Sequence, residues 1–419
     1  MNARLFSILF PSLLLSLCLH AQTVAIRAGN LIDPATEAVA TNQLILVSNG
    51  TIAAVGVNLE VPKDAQLVDL SGAWVMPGLM DAHVHLLLTG YESGGGLEAV
   101  YLKESSGLRT LLGVRNARAV LEAGFTTVKD IGNAANYGDV DLRRAIERGW
   151  VVGPTMLTTG KIIAPFGGQS HNLSPEQGPL WQYEYIDADT PDEVRKAVRQ
   201  NIFYGANAIK LVADNSRFYY SRQEIEAAVT EARTAGYTVA VHATAGEAAR
   251  NAILAGAASI EHGYDLSDEL LRLMKEKGTF LVGTDFPEAH LKAMNFNKVK
   301  DGRTMAERIT DRLRRAYKAG VKMAFGSDIV IDLPGKDRGE LAMDYLDVWV
   351  AAGVPPAEIL KCWTTNPAEL MQVQNQRGNI KPGLAADIIA TPENPLQDIH
   401  ALRKVSFVMK DGKIVKGGK

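Results

Sequence analysis

Only two cysteines occur in 419 residues. One of them, Cys18, lies in an N-terminal segment of targeting character, which leaves Cys362 alone and excludes an intramolecular disulfide in the rest of the chain. Basic excess is also lacking. Lysine and arginine number 44 against 47 acids, a net charge of -3, and no aromatic-basic stripe is present, so nothing favours nucleic acid. Past residue 21 no apolar run approaches the ~20 residues of a membrane span. No Gly-x-Gly-x-x-Gly turn follows an early strand, which counts against a dinucleotide-binding open sheet. No Gly-x-Ser-x-Gly elbow occurs, and a catalytic cysteine has little support. Metal-activated water is the remaining route to hydrolysis. What is present, 47% hydrophobic and 22% charged residues, is an ordinary globular composition, long enough for one large α/β domain and a smaller one.

The first 21 residues read as a signal peptide: Arg4 gives a positive start, Leu5 to Leu19 is mostly apolar, and Leu19-His-Ala21 suits cleavage near Ala21. Pro11 and the abrupt change at Gln22 argue against a buried helix there, and bulky Leu17 argues against a lipid site at Cys18. The expectation is an exported protein of the bacterial periplasm or exterior.

Residues 22–77 alternate and turn sharply. Leu44 to Val55 reads as a hairpin around Asn49-Gly50, and Val405 to Val415 as another around Asp411-Gly412. Residues 22–77 and 370–419 are therefore assigned to one small β-sandwich domain built from both termini. Between them, eight candidate strands alternate with helical patterns: Val75–His85, Thr126–Ile131, Thr155–Thr159, Ala208–Val212, Val239–His242, Ser259–His262, Phe280–Gly283 and Met323–Gly326. The expected fold class is α/β, a closed (β/α)8 TIM barrel over residues 78–369, with a doubly wound sheet as runner-up. Three long loops, Phe166–Asp189, Pro287–Thr304 and Ile331–Gly339, follow strands and would overhang one face.

That face would gather metal-type ligands. His83 and His85 end the first strand, Lys210 lies in the fourth, and His242, His262 and Asp328 close later ones. Residues two apart in a strand point to the same side, so His83 and His85 serve one metal while Val84 faces the helices. A lone histidine is more often a hydrogen-bonded core residue; four in equivalent places weaken that reading. Lys210 has three readings: a snorkelling side chain, a salt bridge, or a neutral amine that adds carbon dioxide and becomes a bridging carbamate. Asp328 reads as a helix N-cap or as a ligand that accepts and passes on a proton. Cys362, His290 and His400 are read as structural, and His171, in Gly167-Gly-Gln-Ser-His171, as a substrate contact.

These residues resemble the amidohydrolase superfamily. The likeness rests on Val75-Met-Pro-Gly-Leu-Met-Asp-Ala-His-Val-His85, Ala208-Ile-Lys210, Val241-His242-Ala, Ile260-Glu-His262-Gly, Gly326-Ser-Asp328, Thr365-Asn-Pro-Ala and Gly378 to Asp387. The resemblance implies two zinc ions, or other divalent metals. His83 and His85 would hold one, His242 and His262 the other, and carboxylated Lys210 would bridge them. Asp328 would bind the first metal and shuttle the proton, and water held between the metals would attack an amide carbonyl. Within the superfamily the chain is similar to the prolidase-like and Xaa-Arg/Lys carboxypeptidases, and to the bacterial branch that hydrolyses ochratoxin A. That implies cleavage of the C-terminal amide of N-acyl amino acids or dipeptides with a free carboxylate, in a homo-oligomer. Tyr220, in Tyr220-Ser-Arg-Gln-Glu224, matches a tyrosine that contacts the substrate carboxylate in those relatives, whereas their Gly-Gly-His is here Gly-Gly-Gln169. The alternatives are a cyclic-amide hydrolase or imidazolonepropionase-like aminohydrolase, or a non-catalytic binding barrel.

Overall fold

The computed structural model describes residues 23–90, 96–170, 173–215, 218–244 and 246–417. The targeting segment 1–21 and His171 lie outside the described residues. In chain order the strands are β1 (Thr23–Asp33), β2 (Ala38–Ser48), β3 (Thr51–Gly56), β4 (Gln66–Pro77), β5 (Leu79–Val84), β6 (Phe125–Asp130), β7 (Thr155–Thr158), β8 (Ile162–Ala164) and β9 (Tyr185–Asp187). There follow β10 (Ile209–Val212), β11 (Val239–Ala243), β12 (Ser259–His262), β13 (Phe280–Val282), β14 (Val299–Lys300), β15 (Arg303–Thr304), β16 (Ile388–Thr391), β17 (Phe407–Lys410) and β18 (Lys413–Lys416).

Strands from both ends of the chain form one seven-stranded mixed sheet in the order β18-β17-β16-β4-β1-β2-β3. Both predicted tight turns form, with φ of 52° and 81° at Asn49-Gly50 and 46° and 73° at Asp411-Gly412. The turns meet at Ala386, whose N–H donates to Gly50 O at 2.9 Å and whose carbonyl accepts from Gly412 N at 3.1 Å. A Cβ on Gly412 would fall 2.8 Å from Gly50 Cα, so glycine is required by approach as well as by φ. Ile26, Ile45, Val68, Ile388, Phe407 and Met409 from its strands share one buried cluster. The two faces expected of a sandwich are therefore parts of one hydrogen-bonded sheet.

The middle of the chain alternates parallel strands with helices, an α/β arrangement. Strands β5-β6-β7 form one parallel sheet and β13-β12-β11-β10-β8-β9 another. Local chemistry sets the helix ends. Helix Pro191–Tyr204 begins at Thr190, which accepts from Glu193 N, and ends at Gly205 with φ 104°. Helices Arg222–Thr234 and Met305–Ala319 carry capping boxes, Ser221 with Glu224 and Thr304 with Glu307. Helix Met305–Ala319 buries Met305, Ile309, Leu313 and Ala316, the spacing of one apolar face.

Two predicted strands differ from the structure. Val75–His85 is two strands: β4 belongs to the terminal sheet and β5 opens the parallel series. The break is at Gly78, where a Cβ would lie 2.1 Å from Thr126 Oγ1 as the chain squeezes past β6. Met323–Gly326 forms no regular strand, only a bridge from Met323 to Leu281. The segment is nonetheless stitched on both sides. Ala324 N donates to Leu281 O at 3.0 Å, Ala82 N to Phe325 O at 2.8 Å and Asp328 N to His83 O at 2.7 Å. At the other junction, Ala208 N donates to Thr158 O at 3.2 Å. The long loop after β8 carries two 3-10 turns, Pro175–Gln177 and Leu180–Tyr183, and then β9.

Candidate metal centre

His83, His85, Lys210, His242, His262 and Asp328 all line one cavity of about 290 Å³. Most of the remaining wall is apolar, including Leu88, Leu97, Phe286, Met294, Phe296 and Val330. His262 and Asp328 have left-handed backbones, with φ of 67° and 52°, as does Thr284 behind them at 44°. Such conformations cost about 1–3 kcal/mol each and persist where surrounding structure enforces them, commonly at functional sites.

At one end, His83 and His85 turn their Nε2 atoms to the same carboxylate oxygen, Asp328 Oδ1, at 3.4 and 3.2 Å. Their other nitrogens are fixed. His83 Nδ1 lies 2.6 Å from Glu261 Oε2, and His85 Nδ1 lies 2.7 Å from Gly132 O. An acceptor on Nδ1 sets the tautomer that leaves Nε2 free to bind a metal, the usual support of a metal-ligating imidazole. One ligand atom from each of His83, His85 and Asp328 lies within 4.8 Å of the other two. Gly326 lets these groups converge, since a Cβ there would fall 2.7 Å from His83 Cβ and 2.3 Å from Val282 Cγ1.

The other end is built differently. The His242 and His262 rings lie edge to face, centroids 4.4 Å apart. His242 Nε2 is 3.3 Å from Asp214 Oδ1, and that carboxylate also accepts from Thr244 N and Oγ1 at 2.8 and 3.0 Å. His262 Nδ1 meets the Thr284 hydroxyl at 2.9 Å, which in turn meets Tyr264 at 2.7 Å.

Electrostatics follow from burial and these neighbours. Burial pushes the Asp328 carboxyl up, but the facing His83, His85 and His262 rings outweigh it and hold it well below the usual carboxylate range. Burial and the Lys210 ammonium lower His83, and burial and His242 lower His262 much further. Burial brings Lys210 down to about 8, against the pull of Glu261 and Asp328. The neutral amine is thus accessible near neutral pH, and at 3% exposure Lys210 is not a snorkelling side chain. Four imidazoles, a carboxylate held ionised and a readily neutralised lysine make a donor set that fits divalent metal.

Several supporting residues escaped the sequence reading. Asp81 accepts from His83 N and Ser327 N, both at 3.0 Å, and so ties β5 to the segment that ends in Asp328. Glu261 faces buried Lys129 as well as His83, and despite burial these hold its carboxyl down to about 2. Their signal was available: Lys129 and Glu261 are charges in the middle of fully buried strands, where charge is rare unless partnered. Tyr220 is not among the residues lining the cavity. It is buried, and its hydroxyl donates to Ala188 O at 2.7 Å. His290 is buried against Asp344, His400 pairs with Asp398 and Asp347 at the surface, and Cys362 is buried.

Residues 74–415 match the model of the amidohydrolase family. The chain is 31% identical to ochratoxinase of Aspergillus niger, covering 95% of this chain and 88% of that protein. The solved structure of that ochratoxinase superposes with a TM-score of 0.78 at 26% identity, covering 95% of this chain and 96% of the other. A Xaa-Pro dipeptidase solved with methionine in its active site gives 0.81 at 29% identity, covering 94% and 100%. Imidazolonepropionase of Geobacillus kaustophilus is 25% identical over 89% of this chain and 90% of its own length. This chain belongs to the amidohydrolase family.

Proposed function

We propose that the protein is an exported, binuclear zinc amidohydrolase that cleaves the C-terminal amide of N-acyl amino acids and dipeptides. Ochratoxin A, cut to phenylalanine and ochratoxin alpha, is among its substrates. The observation that carries this reading is the position of the histidine–Asp328 cluster. It lies on the wall of an apolar cavity large enough for an aromatic acyl or amino-acid side chain. The likeness to ochratoxinase and to a dipeptidase supports the same substrate class. The backbone bonds on either side of residues 322–328 and between Thr158 and Ala208 support a closed (β/α)8 barrel, with the terminal sheet as a second domain.

His83, His85 and Asp328 would hold one metal, His242 and His262 the other, with carboxylated Lys210 between them. When bound, the metals supply an activated water and polarise the amide carbonyl. Asp328, kept ionised by the facing imidazoles, takes a proton from the attacking water and delivers it to the amide nitrogen as the C–N bond breaks. The products are a carboxylate and a free amino acid. Glu261 and the Gly132 carbonyl keep the two imidazoles aimed throughout. The cavity's apolar wall excludes water around the acyl group.

The test is a substrate panel on zinc-loaded protein: N-acyl phenylalanines, dipeptides, ochratoxin A and cyclic amides including imidazolonepropionate. Release of the C-terminal amino acid from the first three groups is expected. Turnover of the cyclic amides alone would establish the imidazolonepropionase-like alternative instead. A protein that binds no divalent metal and turns over nothing would restore the binding-protein alternative.

A further inference from the structure

The cavity wall carries two carboxamides, Asn133 and Gln169, that the reaction does not use. Asn133 Nδ2 donates to the Tyr101 hydroxyl at 2.9 Å and to the Tyr185 hydroxyl at 3.3 Å, which spends both its hydrogens. A phenol has one hydrogen. Tyr185, accepting from Asn133, gives its own to Gln169 Oε1 at 3.1 Å. The same hydroxyl permits both amides to turn over together, and in either sense the pair keeps one free N–H and one free carbonyl. Among the described residues nothing accepts from Gln169 Nε2 and nothing donates to Asn133 Oδ1. The pair therefore offers the cavity one donor and one acceptor, side by side across a shared hydroxyl.

Both supports are rigid. Asn133, Ala135, Asn136 and Tyr137 all have left-handed φ, from 49° to 71°. That strained turn is gripped by buried Arg109, which donates to Asn133 O at 2.5 Å and pairs with Glu184 at 2.5 Å. On the other side, Phe166 N and Gly167 N donate to Asp189 and Asp187, both at 3.0 Å. Gly168 lies so close to the Tyr185 ring that a Cβ would fall 2.6 Å from its Cγ. Gln169 is thus held in place before any substrate arrives.

We propose that Asn133 and Gln169 form a specificity clamp for a neutral secondary amide in the acyl part of the substrate, so that N-acylated dipeptides are preferred over simple alkanoyl amino acids. This rests on the amidohydrolase reading above. A carboxylate offers acceptors only and would face the Asn133 carbonyl unfavourably, whereas an amide satisfies both groups at once. The leaving amino acid's carboxylate is therefore not the group read here.

The test compares N-acetylalanyl-phenylalanine with 2-methylpentanoyl-phenylalanine, which replaces the acyl amide by methylenes. The wild-type protein should favour the first by roughly tenfold in kcat/KM. Gln169→Leu should erase that preference while still cleaving the alkanoyl substrate, and Tyr185→Phe, which frees Gln169 to turn, should reduce it part-way. An unchanged preference in Gln169→Leu overturns the clamp. Failure of the wild-type protein on both substrates overturns the proposed cleavage of N-acyl amino acids instead.

Discussion

The two ends of the candidate metal centre are built with different partners. Around His83 and His85 the supports are an ionised carboxylate and a backbone carbonyl, and both Nε2 atoms already face Asp328. Around His242 and His262 a carboxylate contacts Nε2 itself and a threonine hydroxyl contacts Nδ1. The first end is aimed by a buried carboxylate that also accepts from Ser259 and by a backbone carbonyl. The second depends on a hydroxyl relay through Thr284 and Tyr264. The difference assigns preorganisation to the first end and adjustability to the second.

Removing the group shared by both ends should have the largest effect. Asp328→Asn is expected to lower kcat by roughly 10²–10⁴, the range for losing a general acid–base group, with folding retained by circular dichroism. Full activity in that variant would remove Asp328 from the proton path. Lys210→Ala should likewise lower turnover strongly, by no more than the Asp328 variant, and millimolar propionate should restore part of it by supplying the missing carboxylate. Recovery by neutral propionamide would count against the carbamate.

The asymmetry itself is tested one step further out. Glu261→Gln should weaken metal retention or activity about 10- to 100-fold, the cost of losing a carboxylate that orients a ligating histidine. Thr284→Val, at the adjustable end, should cost less. Equal losses, read by metal titration, would erase the distinction.

The smallest effect is on pH stability. Glu261 is held down to about 2 in the fold, from a reference near 4.5. A depressed carboxylate stabilises above the reference value, and that contribution drains away as pH falls from about 4.5 toward 2. Metal-free wild-type protein should therefore lose more stability across that window than Glu261→Gln. Parallel acid-unfolding curves would contradict the ionised Glu261.

How much of this was readable in the sequence depends on the range of the interaction. Asn49-Gly50 and Asp411-Gly412 announced their turns because positive φ is a property of two adjacent residues. The helix starts at Thr190 and Ser221 rest on equally local bonds, to Glu193 and Glu224. Gly78 was read as part of a continuous strand, because its need for a missing Cβ comes from Thr126, almost fifty residues on. Tyr220 matched a motif, yet its partner, the Ala188 carbonyl, was set by how the loop after β8 folds back.

By itself the sequence determined the candidate ligand types, their order and the alternation of strand and helix, since side-chain chemistry and hydrophobic period are written residue by residue. Only the tertiary structure decided which nitrogen of His83 and of His85 turns to Asp328, that Glu261 and Lys129 share one buried cluster, and that Asn133 and Gln169 meet on one tyrosine hydroxyl. Those choices depend on hydrogen-bond partners far apart in the chain, and no local pattern encodes a distance across a cavity.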